Sequence, residues 1–81
     1  MAVLRVLSRQ GDTAFEWDVA GVREGNAEAS AAVREAERIF AEQRARGATA
    51  FRLWPGRPAE RIDSFDPQAE HIVIVPRVAG G

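Results

Sequence analysis

Cysteine is missing from this sequence of 81 residues, and so is lysine. Without a thiol there can be no disulfide, no thiolate nucleophile and no cysteine-based metal site, so the expected setting is the reducing cytoplasm. All 11 basic residues are arginine. The heavy use of Ala, Arg and Gly makes coding bias the simplest source, but the chemical consequence holds regardless: the only primary amine is the α-amine of Met1. Histidine occurs once. Long apolar runs are also lacking, since no stretch approaches the roughly 20 apolar residues that cross a bilayer. The opening "AVLRVLS" alternates like a strand and has no basic leader, unlike a secretory signal. Nor is there an excess of charge of one sign. The formal net charge is −1, with arginines interleaved among acids, which removes any general attraction to nucleic acid or to an anionic membrane surface.

What the chain does contain is patterned apolar sequence, 46% of the residues, enough for one small core near the lower size limit for folding without staples. Residues 2–8 are rich in Val and Leu. They run into the turn cluster "RQGD", after which "TAFEWDV" alternates Phe15 and Trp17 with Glu16 and Asp18. The pattern predicts a hairpin that buries Phe15 and Trp17 on one side. "AGVREGN", with two glycines, reads as a connecting loop.

From Asn26 the period changes. Ala29, Ala32, Val33, Ala36, Ile39 and Phe40 recur at spacings of three and four, the stripe of an amphipathic helix about 20 residues long. Asn26 is placed to cap its start, Arg44 and Arg46 sit in its last turn, and Gly47 supplies a left-handed exit. "ATAFRLW" then alternates again, with Phe51 and Leu53 on one face, until "PGRP" interrupts it. A short strand is expected through Ile62. "HIVIV" (71–75), stopped by Pro76, has the profile of a strand buried on both faces.

The predicted order is strand, strand, helix, strand, short strand, strand. The helix must cover one face of the sheet, and a right-handed crossover would return the chain parallel to the first strand. The fold class is therefore α+β: a mixed sheet of four to five strands packed on one long helix, the order that a β-grasp fold produces. Residues 1–75 form the domain and 76–81 a tail.

Candidate chemistry is sparse. His71 has no thiol partner and stands at a strand edge, better suited to an ordinary edge residue than to a general base. In "DSFDP", Asp63 and Asp66 around Ser64 fit turns in which each carboxylate accepts from nearby backbone amides. A nucleophilic serine would need a base and an oxyanion hole as well. One histidine and dispersed acids match no zinc or calcium spacing, and "WPGRP" puts prolines where a phosphate loop needs amide donors. Trp54 beside Arg52 and Arg57 is readable as a base-stacking group or as a strand end with a snorkelling rim, and the rim is the simpler account.

The sequence ends "VPRVAGG". Gly80 and Gly81 lack a Cβ, so a carboxylate carried on them can enter a channel too narrow for a side chain. Pro76 stops the strand, and Arg77, Val78 and Ala79 extend the arm at about 3.3 Å per residue. A β-grasp order whose last strand runs into a terminal Gly-Gly resembles the ubiquitin-like superfamily. Two branches fit: protein modifiers, including the bacterial ones, and the sulfur carriers of molybdopterin and thiamine synthesis.

The resemblance implies that Gly81, preceded by Gly80, is adenylated by a partner activating enzyme that uses ATP, with no cofactor bound to the chain itself. In a modifier the acyl group passes as a thioester, through a conjugating enzyme, to a target amine, and a deconjugating metalloprotease removes it. In a sulfur carrier it becomes a thiocarboxylate. Pro76 and "VAGG" are similar to the molybdopterin carriers, whereas Arg77, the Arg/Glu-rich helix and "PGRPAERIDSFDP" favour the modifiers. The chain is then not an enzyme, and a sheet face bearing Arg52, His71, Val73 and Val75, together with Arg77, Val78 and Ala79, recognises the partners. A plain interaction module on the same fold is the remaining reading.

Overall fold

A computed structural model describes residues 1–77; the expectations for Val78, Ala79, Gly80 and Gly81 lie outside the described residues. β1 (Ala2–Val6) and β2 (Thr13–Trp17) form the expected antiparallel hairpin, with Leu4 opposite Phe15 and Ala2 opposite Trp17. The turn is held by the Ser8 hydroxyl, which donates to the Gly11 carbonyl at 2.6 Å and accepts from the Gln10 amide at 3.2 Å.

The segment expected to be a loop contains a short helix instead, α1 (Val19–Arg23). Gly21 here is a packing residue. A Cβ at that position would lie 2.9 Å from the Cβ of Ala29, so its absence lets α1 press against α2 (Ala27–Ala45). The long helix follows its sequence signals: the Asn26 side chain accepts from the Ala29 amide at 3.0 Å, and Gly47 leaves the helix at φ +91°.

β3 (Thr49–Arg52), β4 (Glu60–Ile62) and β5 (His71–Val75) complete a five-stranded sheet in the order β2-β1-β5-β3-β4. β5 lies in the middle, parallel to β1 and antiparallel to β3. The strand after the helix thus runs antiparallel to β1, contrary to expectation. The parallel partner of β1 is the last strand, because the chain crosses to the far side of the sheet before closing the centre. This is a small α+β unit whose mixed sheet and 19-residue helix are compatible with a β-grasp arrangement.

The core lies between α2 and one face of the sheet. Leu4, Ile72, Ile74 and Ala50 point toward Ala36 and Phe40 of the helix and are buried with them. Each fully buried Leu or Ile contributes about 1.5–3 kcal/mol of transfer free energy. The small residues Ala2, Ala36, Ala48, Ala50 and Ala69 let the layers approach closely. Phe65 closes the side, stacked against Trp17 and Phe40 at centroid separations of 5.4 and 5.8 Å. Trp17 satisfies its indole N–H by donating to the Pro67 carbonyl at 3.1 Å.

β5 is buried on one face only. Ile72 and Ile74 are fully enclosed, while His71 and Val73 are half-buried and Val75 is exposed. The apolar run suggested two covered faces because β-branched residues fill both sides of the strand, but both helices lie on the same side.

Candidate functional site

Strand alternation divides the sheet into a face toward α2 and an open face. The open face is built in cross-strand rungs. Its first rung sets Glu16, Val3 and His71 side by side, and Leu53 follows, its amide donating to the His71 carbonyl at 3.0 Å. The second joins Ala14, Arg5, Val73, Phe51 and Arg61 across all five strands, and the third pairs Val75 with Thr49. Such same-face neighbours are close enough to form one continuous surface. Val3, Phe51, Leu53 and Val73 are half-buried by one another, and Val75 is 38% exposed. At one end of this face an open cleft of about 420 Å³ is lined by Met1, Leu53, Trp54, Pro55, Glu70 and His71.

Three of the expected recognition residues, His71, Val73 and Val75, therefore share the open face. Arg52 does not. It stands opposite Ile72 and Glu60, a register that turns it to the α2 side, because residues one apart in a strand point to opposite faces. Its guanidinium donates to Asp66 and to Glu60 and lies 4.9 Å over the Trp54 ring. The bond to Asp66, reinforced by Glu60, raises the arginine pKa further, so it stays charged at every relevant pH. Arg52 thus pins the connection between β3 and β5 from the α2 side of the sheet.

The neighbouring acids divide their work. Asp66 also accepts from the Gln68 amide at 2.9 Å, the expected turn bond, whereas Asp63 binds the Arg44 guanidinium at 3.2 Å, which turns it away from backbone capping. The stacking of Arg52 on Trp54 fits the rim reading of that strand end.

His71 Nε2 is buried and has no hydrogen-bond partner among the described residues. Arg77 is exposed at the foot of the tail. A Cβ on Gly47 would lie 3.1 Å from Arg77 Cδ, so this glycine both reverses the helix and leaves room for the arginine stem. Among the described residues no group of three or more His, Asp or Glu is placed to hold a metal ion, and no helix is long and apolar enough to cross a membrane.

Sequence reasoning missed Val3, Arg5, Leu53, Phe51 and Arg61 as members of the open face. The pairing of Phe51 with Leu53 on one side was visible from alternation. That this side is the open one follows only from the register with β5.

No family model, curated protein or solved structure matches the chain.

Proposed function

We propose that this chain is a ubiquitin-like protein modifier of β-grasp fold, acting through Gly81. The observation that carries the reading is the position of β5. The last strand occupies the centre of the sheet, parallel to β1, and its end leads through Pro76 and Arg77 into "VAGG". A rigid central strand gives the arm a fixed origin, and two glycines give its end the least bulk.

In the proposed chemistry the Gly81 carboxylate attacks the α-phosphorus of ATP on an activating enzyme, pyrophosphate leaves, and an acyl adenylate forms. An enzyme cysteine thiolate displaces AMP to give a thioester. A conjugating enzyme relays it, a target amine displaces the thiolate and loses a proton, and an amide bond remains, later open to a deconjugating metalloprotease. AMP and thiolate are both better leaving groups than oxide, which is why an amine can attack near neutral pH. The chain supplies no catalytic group. Its part is recognition, through His71, Val73 and Val75 on the open face and through Arg77, Val78 and Ala79 on the arm. With no lysine in the sequence, no lysine side chain of one copy can accept another, and single modification of targets is expected.

The resemblance of Pro76 and "VAGG" to sulfur-carrier tails favours a second reading, a terminal thiocarboxylate. One experiment separates the two: intact mass and reducing gels of the chain, with and without Gly81, recovered from its host. Adducts that require Gly81 and survive reductant support the modifier. Replacement of one oxygen by sulfur supports the carrier. Neither result leaves a non-covalent interaction module.

A further inference from the structure

A sheet in the order β2-β1-β5-β3-β4 has two free edges, β2 and β4. β4 is three residues long and is preceded by Pro58, two devices that discourage an edge from pairing further. β2 has neither. Its five residues contain no proline and a single charge, Glu16.

Which backbone groups β2 leaves free follows from its neighbours. The Val3 and Leu7 amides donate toward β5, to the Glu70 and Ile74 carbonyls at 2.9 and 3.0 Å. Odd residues of β1 thus turn their N–H and C=O groups to β5, and even residues turn theirs to β2. Leu4 lies opposite Phe15 and Val6 opposite Thr13, so the odd residues of β2 bond inward. Ala14 and Glu16 direct both backbone groups out from the edge, and both residues are exposed.

Suppose this edge pairs antiparallel with itself about a two-fold axis at Phe15. Ala14 then lies opposite Glu16 of the second copy on each side of the axis, and each such pair exchanges two backbone bonds. Phe15, half-buried on the α2 side, meets its own counterpart as a close pair without backbone bonds. The charges agree with this register. Arg5 lies beside Ala14 on the open face and meets Asp12 only at 3.9 Å, with both side chains nearly half exposed. Glu16 is in no ion pair among the described residues. Across the seam only Ala14 separates Arg5 from Glu16 of the second copy, about 10 Å between Cα atoms, and a methyl group lets the two long side chains meet above it. An axis at Glu16 would set the two glutamates face to face, and one at Ala14 would set Asp12 against Glu16, so the neighbouring registers oppose like charges. In the Phe15 register Asp12 comes opposite Asp18 of the second copy. The ladder stops short of that pair, because Asp18 opens α1, its carbonyl accepting from the Val22 amide at 3.0 Å.

We propose that the β2 edge is a homodimer interface, joining two copies into one continuous sheet with Phe15 on the axis and an Arg5–Glu16 ion pair on either side. β5 of one copy runs antiparallel to β5 of the other, which sets Pro76 and Arg77 of the two copies at opposite ends. The interface is independent of the chemistry at Gly81, so the two can fail separately.

The test is sedimentation velocity of the full chain between about 10 μM and 1 mM, with a shift from monomer to dimer across that range. Hydrogen exchange at the Ala14 and Glu16 amides should slow as the dimer forms. Ala14→Pro removes an outward N–H and leaves the β1 ladder intact, a position where a strand tolerates proline, and should weaken the dimer about tenfold or more. Glu16→Arg should also weaken it, and adding Arg5→Glu should restore it, a rescue that reads the same seam if Ala14→Pro fails to fold. Removing Gly80 and Gly81 should leave the dimer unchanged. A chain that stays monomeric at the highest concentration, a dimer indifferent to a folded Ala14→Pro variant, or a double charge reversal that restores nothing would each overturn the proposal.

Discussion

Within β5, Ile72 and Ile74 are wholly enclosed, while Val73 between them is half-buried and Val75 is 38% exposed. The two sides of the strand share β-branched chemistry yet meet different neighbours. On one side α2 supplies Ala36 and Phe40 to the core that encloses the isoleucines. On the other, the neighbours among the described residues belong to the same sheet: Val3, Arg5, Thr49, Phe51 and Leu53 across the rungs. Strand propensity favours Val and Ile on either side, whereas burial depends on what is packed above.

The largest effect that would break this comparison lies inside. Ile74→Ala should cost about 2–5 kcal/mol, as truncation of an enclosed residue leaves a cavity, and urea unfolding would register it as a lower midpoint. Val73→Ala, one residue away, should cost less than about 1 kcal/mol; comparable losses at both positions would mean that the open face is covered in solution. On the helical side, Gly21→Ala should cost about 1–3 kcal/mol by forcing α1 away from Ala29, and thermal unfolding checks it.

His71→Val is expected to stabilise by about 1 kcal/mol, since it removes a buried ring nitrogen that has no hydrogen-bond partner among the described residues. The smallest effect belongs to the outer surface of α2. There Arg38 donates to Glu35 and to Glu42. The bond from Arg38 holds the Glu35 pKa below the ordinary carboxylate value. A lowered folded-state pKa means that the contribution is present above the unfolded-state value and is lost as pH falls through the folded one. The melting-temperature difference between the wild type and Glu35→Gln should therefore be small at neutral pH and vanish on acidification.

The long helix was legible almost to the residue because three independent signals agreed: an apolar stripe, a capping asparagine and a terminal glycine. The hairpin and the short strand at Ile62 were legible for similar reasons, each bounded by its own turn chemistry. α1 was not. Gly21 is a helix breaker by propensity, and only its contact with Ala29, made in three dimensions, explains why it stands in a helix. The facing of Arg52 was hidden too, since its parity in β3 acquires meaning only once β3 is paired with β5. Of the candidate site, His71, Val73 and Val75 could be grouped from alternation along one strand. Arg5, Phe51 and Arg61 come from three other strands and meet Val73 only through the register of the sheet.

The pairing of the first strand with the last makes the centre of the sheet depend on a contact between residues far apart in the sequence. Val3 lies beside His71, nearly the whole chain away, and the loop joining them must be closed before the pair forms. Without β5, the folded sheet has no strand that joins the antiparallel pair β1–β2 to the antiparallel pair β3–β4. Synthesis must therefore reach the C-terminal residues before the centre can assemble. The strand that completes the sheet is also the one that leads to Pro76 and Arg77, so the arginine takes its place beside Gly47 only once the central strand has paired.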